Sequence, residues 1–454
     1  MFGPFNFQRY FLKTLVLVGI SLFITIPSLA NDNDQQAPLL MSTEEDHQRS
    51  LHALKISSLR PGANGNDTEA VNAANYDESK ANPYRTLPAP LLLNNRQQVV
   101  SEQQWWEQRR PEILEVFDRE VYGRVPEQVF DIHWQVNSKS NIMVGGIPAI
   151  RKELIGIVDN SHYPSISVAI KSILILPENI NNKTVPVIVQ LSGGFFLDMS
   201  EERSDNSESW QSQTLKKGWA YAYLDTSSIQ ADNGAGLTTG IIGLANQGQP
   251  RAMDDWGVLR AWAWGASQLL NYFESNASID ASKVAIQGHS RWGKAALVAM
   301  AYDQRFALAY ISSSGAAGAK LHRRNWGELV ENVAGSGEYH WMAGNYIKYA
   351  GPLNWSDLPV DAHQLIALCA PRPVFISSGN EGDLWVDAKG MFMAASAAQP
   401  VYHLLNATGM GTEQFPELEY GLMDGEIAFR QHAGGHTDGP NWPIFLTYAK
   451  RYLD

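Results

Sequence analysis

The stretch Val284-Ala285-Ile286-Gln287-Gly288-His289-Ser290-Arg291-Trp292-Gly293-Lys294, followed by AALVAMAYDQRFA, decides how this chain is read. Val284 to Gln287 is a short apolar run, suited to a buried strand. A glycine, a polar triplet and a second glycine follow, and then an Ala/Leu/Met-rich segment with helical character. A serine at such a strand-to-helix turn has its Oγ lifted out of the sheet, and the next backbone N–H can meet a developing oxyanion. Ser290 is therefore the candidate nucleophile. The usual spacing is G-x-S-x-G; here the second glycine, Gly293, arrives one residue late.

Outward from the turn, further apolar runs recur: Ser172–Pro177, Val185–Leu191, Trp219–Leu224, Leu308–Ile311 and Val374–Ile376. Helical stretches separate the later ones, notably DDWGVLRAWAWGASQLLNYFE. Apolar strands alternating with helices predict a mainly parallel sheet covered on both faces, the α/β class, and with the serine turn they predict an α/β-hydrolase. Polar and β-branched residues alternate from Asp131 to Lys171, which predicts an antiparallel entry to the sheet. Ser192-Gly193-Gly194-Phe195 follows one strand, where this fold places a loop that supplies a second oxyanion N–H; a plain turn is the alternative reading of Gly193-Gly194.

In this fold the nucleophile is followed by an acid and then a histidine. The late loop Gln431-His432-Ala433-Gly434-Gly435-His436-Thr437-Asp438 holds two candidate bases; the glycines before His436 let the loop carry that ring over a serine, and His432 is the alternative. The loop SGNEGDLWVD after Val374–Ser377 offers Glu381, Asp383 and Asp387 as acids.

The chain has 454 residues, 44% hydrophobic, and a formal net charge of −12, enough for one large α/β domain or two ordinary ones. The acidic balance and lack of a basic run argue against a nucleic-acid partner. Arg9 and Lys13, the apolar run Thr14–Ile26 and the small-x-small triplet Ser28-Leu29-Ala30 predict a signal peptide over 1–30, hence a secreted or periplasmic protein without stable membrane insertion after cleavage. Residues 31–84 read as a polar, largely irregular leader, and 85–454 as the catalytic domain; a helix is expected from Ser101. The single cysteine, Cys369, lies in an apolar stretch and reads as a buried small residue. With no H-E-x-x-H, Cys/His cluster or phosphate loop, neither metal nor organic cofactor is expected.

The order G-x-S-R-x-G-K (Gly288, Ser290, Arg291, Gly293, Lys294) is more specific than the bare turn. It resembles the signature of the glucuronoyl esterases of bacterial type, serine esterases (4-O-methyl-glucuronoyl methylesterases) acting on 4-O-methyl-glucuronate esters of plant xylan. The likeness extends from about Pro88 to Leu453. It implies that Arg291 helps hold the oxyanion, that Lys294 binds the sugar, and that His436 in the late G-G-H is the base. Asp383-Leu384-Trp385 matches an Asp-x-Trp of some bacterial members, which makes Asp383 the acid and gives Trp385 a uronate contact. Glu331, with Glu338 second, best matches a region that contacts sugar hydroxyls.

Two departures stand out: His289 replaces the usual Cys, and Ser313-Ser314-Gly315-Ala316-Ala317-Gly318 lacks the Glu that many members carry in E-S-G-S-G-G. The implied partner is glucuronoxylan of the plant cell wall, or its oligosaccharide esters, as in lignin–glucuronoxylan linkages. The alternatives are an acetyl-xylan or other carbohydrate esterase on the same fold, and a carbohydrate-binding protein with a decayed site.

Overall fold

The apolar runs form the centre of one ten-stranded sheet among the described residues. Its strands are β1 (Ile132–Val144), β2 (Ile147–Val158), β3 (Ala169–Pro177), β4 (Val185–Ser192), β5 (Ala220–Asp225), β6 (Ile279–His289), β7 (Leu308–Ser312), β8 (Val374–Ser378), β9 (Gly421–Leu422) and β10 (Ile427–Gln431). This computed structural model describes residues 37–127, 130–180, 183–194 and 208–454, so the expected signal peptide and Phe195 lie outside the described residues.

The strand order is β1-β2-β3-β5-β4-β6-β7-β8-β10-β9. The run β5-β4-β6-β7-β8-β10 is parallel throughout. β1, β2 and β3 enter antiparallel, as the alternating stretch predicts, and β9 closes the far edge antiparallel to β10. Every residue of β5, β7, β8 and β10 is buried, because helices cover both faces and no side needs to be polar. Side chains alternate between two cores. Val187, Val189, Ile286 and Ile311 pack with the helices Val258–Glu274 and Arg291–Tyr302. Ile188, Ala285, Tyr310 and Phe375 face the C-terminal helix Trp442–Leu453. Cys369 is fully buried.

The expected helix begins with Ser101 as its cap and runs to Glu120. It widens into a π-helical stretch over Trp105–Arg109, just ahead of Pro111, whose ring and missing N–H do not fit a regular α-helical turn.

Residues 37–84 differ from the irregular leader expected. They contain a helix, Thr43–Ala53, that starts with a reciprocal cap: Ser42 Oγ accepts from Glu45 N (3.2 Å) and Glu45 Oε2 from Ser42 N (2.7 Å). The segment then grips the catalytic side of the domain with polar contacts. Tyr339 donates to Asp46 (2.9 Å), Asn75 Nδ2 to Asn325 O (2.6 Å), and Arg324 pairs with Glu78 (2.6 Å). It is a bracing arm.

The carboxyl ends of β6, β7, β8 and β10 lead respectively to Ser290, Ser313, the loop with Asp383 and the loop with His436. Open parallel sheets bind ligands beyond these strand ends. Among the described residues no helix is long and apolar enough to cross a membrane.

Candidate active site

Ser290 sits between β6 and the helix Arg291–Tyr302 with φ 59° and ψ −129°, a conformation that non-glycine residues rarely adopt and that costs about 1–3 kcal/mol. The turn is held by Ser290 N donating to Ser312 O at 2.8 Å. Both flanking glycines are required sterically. A Cβ on Gly288 would lie 2.1 Å from Trp292 O, and one on Gly293 would lie 2.8 Å from Ser312 O. The glycine that comes one residue late therefore serves the same close approach of helix to strand. The helix that starts at Arg291 turns the positive end of its dipole toward the serine, where it favours negative charge.

His436 and Asp383 meet: the imidazole Nδ1 and Asp383 Oδ1 are 2.6 Å apart. The other carboxylate oxygen, Oδ2, accepts from Gly379 N and from Ser313 Oγ, each at 2.7 Å. Asp383 is 1% exposed, so three donors satisfy a buried carboxylate. With Nδ1 donating to Asp383, Nε2 of His436 is left as an acceptor. The two loops are laced together by Asn380 N to Gly434 O (2.9 Å) and Gln431 Nε2 to Gly379 O (3.0 Å), and a Cβ on Gly379 would strike Gly435 O at 2.2 Å.

The other candidates are committed elsewhere. His432 accepts from Gly434 N at Nδ1 (3.0 Å) and contacts Thr437 O through Nε2 (2.9 Å), so both its nitrogens serve its own loop. Asp387 is buried, caps the helix Ala388–Leu404 and pairs with Arg324 at 2.7 Å. Glu381 is exposed.

His289, the residue before the nucleophile, packs its ring against the base. Its ring centroid is 4.4 Å from that of His436 at an interplanar angle of 53°, and its Nδ1 is 3.1 Å from Ser312 Oγ. Burial, reinforced by His436, pulls the His289 imidazole down to about 4, so it is neutral at neutral pH.

Arg291 extends from the serine turn to Asp232, 2.7 Å away. Asp232 also accepts from Trp341 Nε1 (2.6 Å) and contacts His340 Nε2 (3.0 Å). Burial opposes the Asp232 charge, but bonds from His340, Trp341 and Arg291 hold its carboxyl well below the usual carboxylate range. Lys294 is 3% exposed; its Nζ donates to Ala316 O (2.6 Å) and pairs with Glu328 (2.8 Å). Both cations lie 5.4 Å from the ring of Trp341.

Glu331 points elsewhere, pairing with Arg60 of the arm at 2.9 Å, and Glu328, three residues earlier, is the carboxylate that meets Lys294. Glu338 is half-buried, with Oε2 shielded and unpartnered among the described residues. Burial and then the nearby Glu328 raise its carboxyl to about 7. Trp385 is tied to Glu328 through its backbone, Glu328 N donating to Trp385 O at 3.0 Å. Gly193 approaches the Trp292 ring, where a Cβ would come within 3.3 Å. Among the described residues no group of three or more His, Cys, Asp or Glu is placed to hold a metal.

Sequence reasoning missed Glu328, Asp232 and the link from Ser313 to the acid. Ser313 was visible only as a missing Glu, although its position was the right place to look. A family model described as "Glucuronyl esterase, fungi" matches residues 166–406. The carbohydrate esterase MZ0003 from an unknown prokaryotic organism is 31% identical over 411 residues, 84% of this chain and 92% of that protein. A CE15 glucuronoyl esterase from Teredinibacter turnerae T7901 superposes with TM-score 0.84 at 46% identity, covering 90% of this chain and 99% of the other. A glucuronoyl esterase from Solibacter usitatus gives TM-score 0.73 at 34% identity, with 83% and 100% covered.

Proposed function

The chain belongs to the glucuronoyl esterase family of α/β-hydrolases, which are carboxylic ester hydrolases, and from that premise we propose that it cleaves esters of (4-O-methyl-)glucuronic acid with a Ser290–His436–Asp383 triad. The observation that carries the triad is the 2.6 Å contact of Asp383 with His436, on a loop that packs over the residue before Ser290.

Ser290 Oγ attacks the ester carbonyl as His436 Nε2 takes its proton; Asp383 orients the ring and stabilises the imidazolium. The negative oxygen of the tetrahedral intermediate is met by the backbone N–H groups that open the helix and by the Arg291 guanidinium, which Asp232 aims. His436 returns the proton to the leaving alcohol, and water then repeats the sequence on the acyl-enzyme.

Lys294, Glu328, Glu338 and Trp385 form the acyl pocket. A buried cation, a carboxylate and a carboxyl that titrates near neutrality together supply donors and acceptors for the sugar hydroxyls. Glu331, paired with the arm, contributes by holding Arg60. The proposed substrate is glucuronoxylan of the plant cell wall, including its ester links to lignin, met by a form exported after cleavage of residues 1–30. Residues 85–454 then form the catalytic domain, braced by the arm.

Turnover of benzyl glucuronate beside p-nitrophenyl acetate and acetylated xylan tests this reading. A kcat/KM for the glucuronate ester well above both acetyl esters is expected. Preference for either acetyl ester would overturn it.

A further inference from the structure

The bracing arm does more than hold the domain. Between it and the acid loop lies a cleft of about 770 Å³, within the range of small-molecule sites, about 300–1,000 Å³. Asn64, Asn66, Asn72 and Tyr76 of the arm form one wall, and Leu384 and Trp385 form the other. Trp385 is shared with the proposed acyl pocket, and Gly65 lies so close to its indole that a Cβ there would come within 2.7 Å of the ring. The floor is rigid: Asn332 accepts from Ala63 N (3.0 Å) and donates to Ala63 O (2.9 Å), and Trp326 Nε1 donates to Leu384 O (2.9 Å).

The chemistry of the lining is specific. Among the described residues no charged side chain lines the cleft, so an anion or a cation would find no counter-charge from them. Amides and a phenol line it instead, and several of their polar atoms are unused. Among the described residues the Asn66 amide, the Tyr76 hydroxyl, Asn64 Nδ2 and Asn72 Oδ1 make no hydrogen bond, although Asn64 Oδ1 and Asn72 Nδ2 fix the arm's own turns. Neutral groups that both donate and accept, set beside an indole and a phenol ring, match a pyranose with its ring hydroxyls and flat C–H face.

We infer that this cleft is a subsite for the neutral sugar chain that carries the glucuronate, binding pyranose units next to the esterified residue. The inference rests on the proposed function, because Trp385 is what joins the two pockets.

Two benzyl esters with the same alcohol test it: one of glucuronic acid alone, one of glucuronic acid attached to xylotriose. Tyr76→Phe and Asn66→Ala each remove polar atoms from the cleft and none from the proposed catalytic machinery. Each is expected to lower kcat/KM on the xylotriose-linked ester by about three- to tenfold, the loss of one hydrogen bond, and to leave the monosaccharide ester unchanged. Unchanged values on both esters, or equal losses on both, would overturn the subsite. Loss on the monosaccharide ester only when benzyl is replaced by a larger aryl alcohol would also overturn it, by assigning the cleft to the leaving group. If the wild type turns over neither ester, the proposed function fails instead. Calorimetric binding of glucuronoyl-xylotriose then judges the cleft separately: the same two variants must weaken it, and unweakened binding rejects the subsite.

Discussion

Asp383→Asn separates charge from shape at the proposed triad. Gly379 N, a fixed donor 2.7 Å from Oδ2, requires an oxygen at that corner, and the Ser313 hydroxyl at the same distance can donate to it as well. The asparagine amide must therefore turn its NH₂ toward His436 Nδ1. That nitrogen becomes an acceptor, the ring proton moves to Nε2, and the base can no longer take the proton of Ser290. A neutral acid in the corresponding place of a trypsin-like triad lowers kcat by about 10⁴, and the same wrong tautomer predicts about 10³–10⁴ here, roughly 4–5.5 kcal/mol of barrier. The assay is kcat on benzyl glucuronate, with Tm measured alongside, which should change little because all three bonds keep partners. Because Ser313 touches Asp383, adding Ser313→Glu to Asp383→Asn should bring a carboxylate back beside the imidazole and recover part of the rate. A kcat for Asp383→Asn within a few-fold of wild type would show that Asp383 is not the acid of the triad.

Lys294→Met should cost about 3–5 kcal/mol of stability, measured by urea unfolding, since it leaves the Glu328 charge buried and unpaired. His289 is pulled from 6.5 to about 4, so between those pH values the unfolded chain binds a proton that the folded chain refuses; stability should fall by up to about 3 kcal/mol as pH drops through that window, and His289→Gln should flatten the slope in melts at pH 7 and 5. Glu338, raised to about 7, keeps its proton up to neutrality, so KM for glucuronate esters should rise as pH passes 7 in the wild type and stay level in Glu338→Gln.

The centre of the fold was legible because strands buried on both faces must be apolar throughout, and because the glycines of the serine turn are forced by contacts as short as 2.1 Å. β10 was not read as a strand, since Ile427-Ala428-Phe429 is too short to show a period, yet it delivers His436. Glu328, which meets Lys294, was not among the candidates for a similar reason. Residues 324–329 are not helical, and without a period nothing in sequence says which of two carboxylates three apart faces the serine turn. The arm was read as a leader because polar contacts such as Tyr339–Asp46 and Arg324–Glu78 hold it, and composition does not distinguish those from solvated residues. Its one local signal was the capping pair Ser42 and Glu45.

Ser290 as the nucleophile of a glucuronate esterase is put to the test by kcat of Ser290→Ala on benzyl glucuronate. Only a hydroxyl is lost from a turn held by backbone bonds, so the variant should melt like the wild type. Loss of a serine nucleophile in a triad lowers kcat by about 10⁶, and a fall of that order is expected. Wild-type-like turnover by a folded Ser290→Ala protein would show that Ser290 is not the nucleophile.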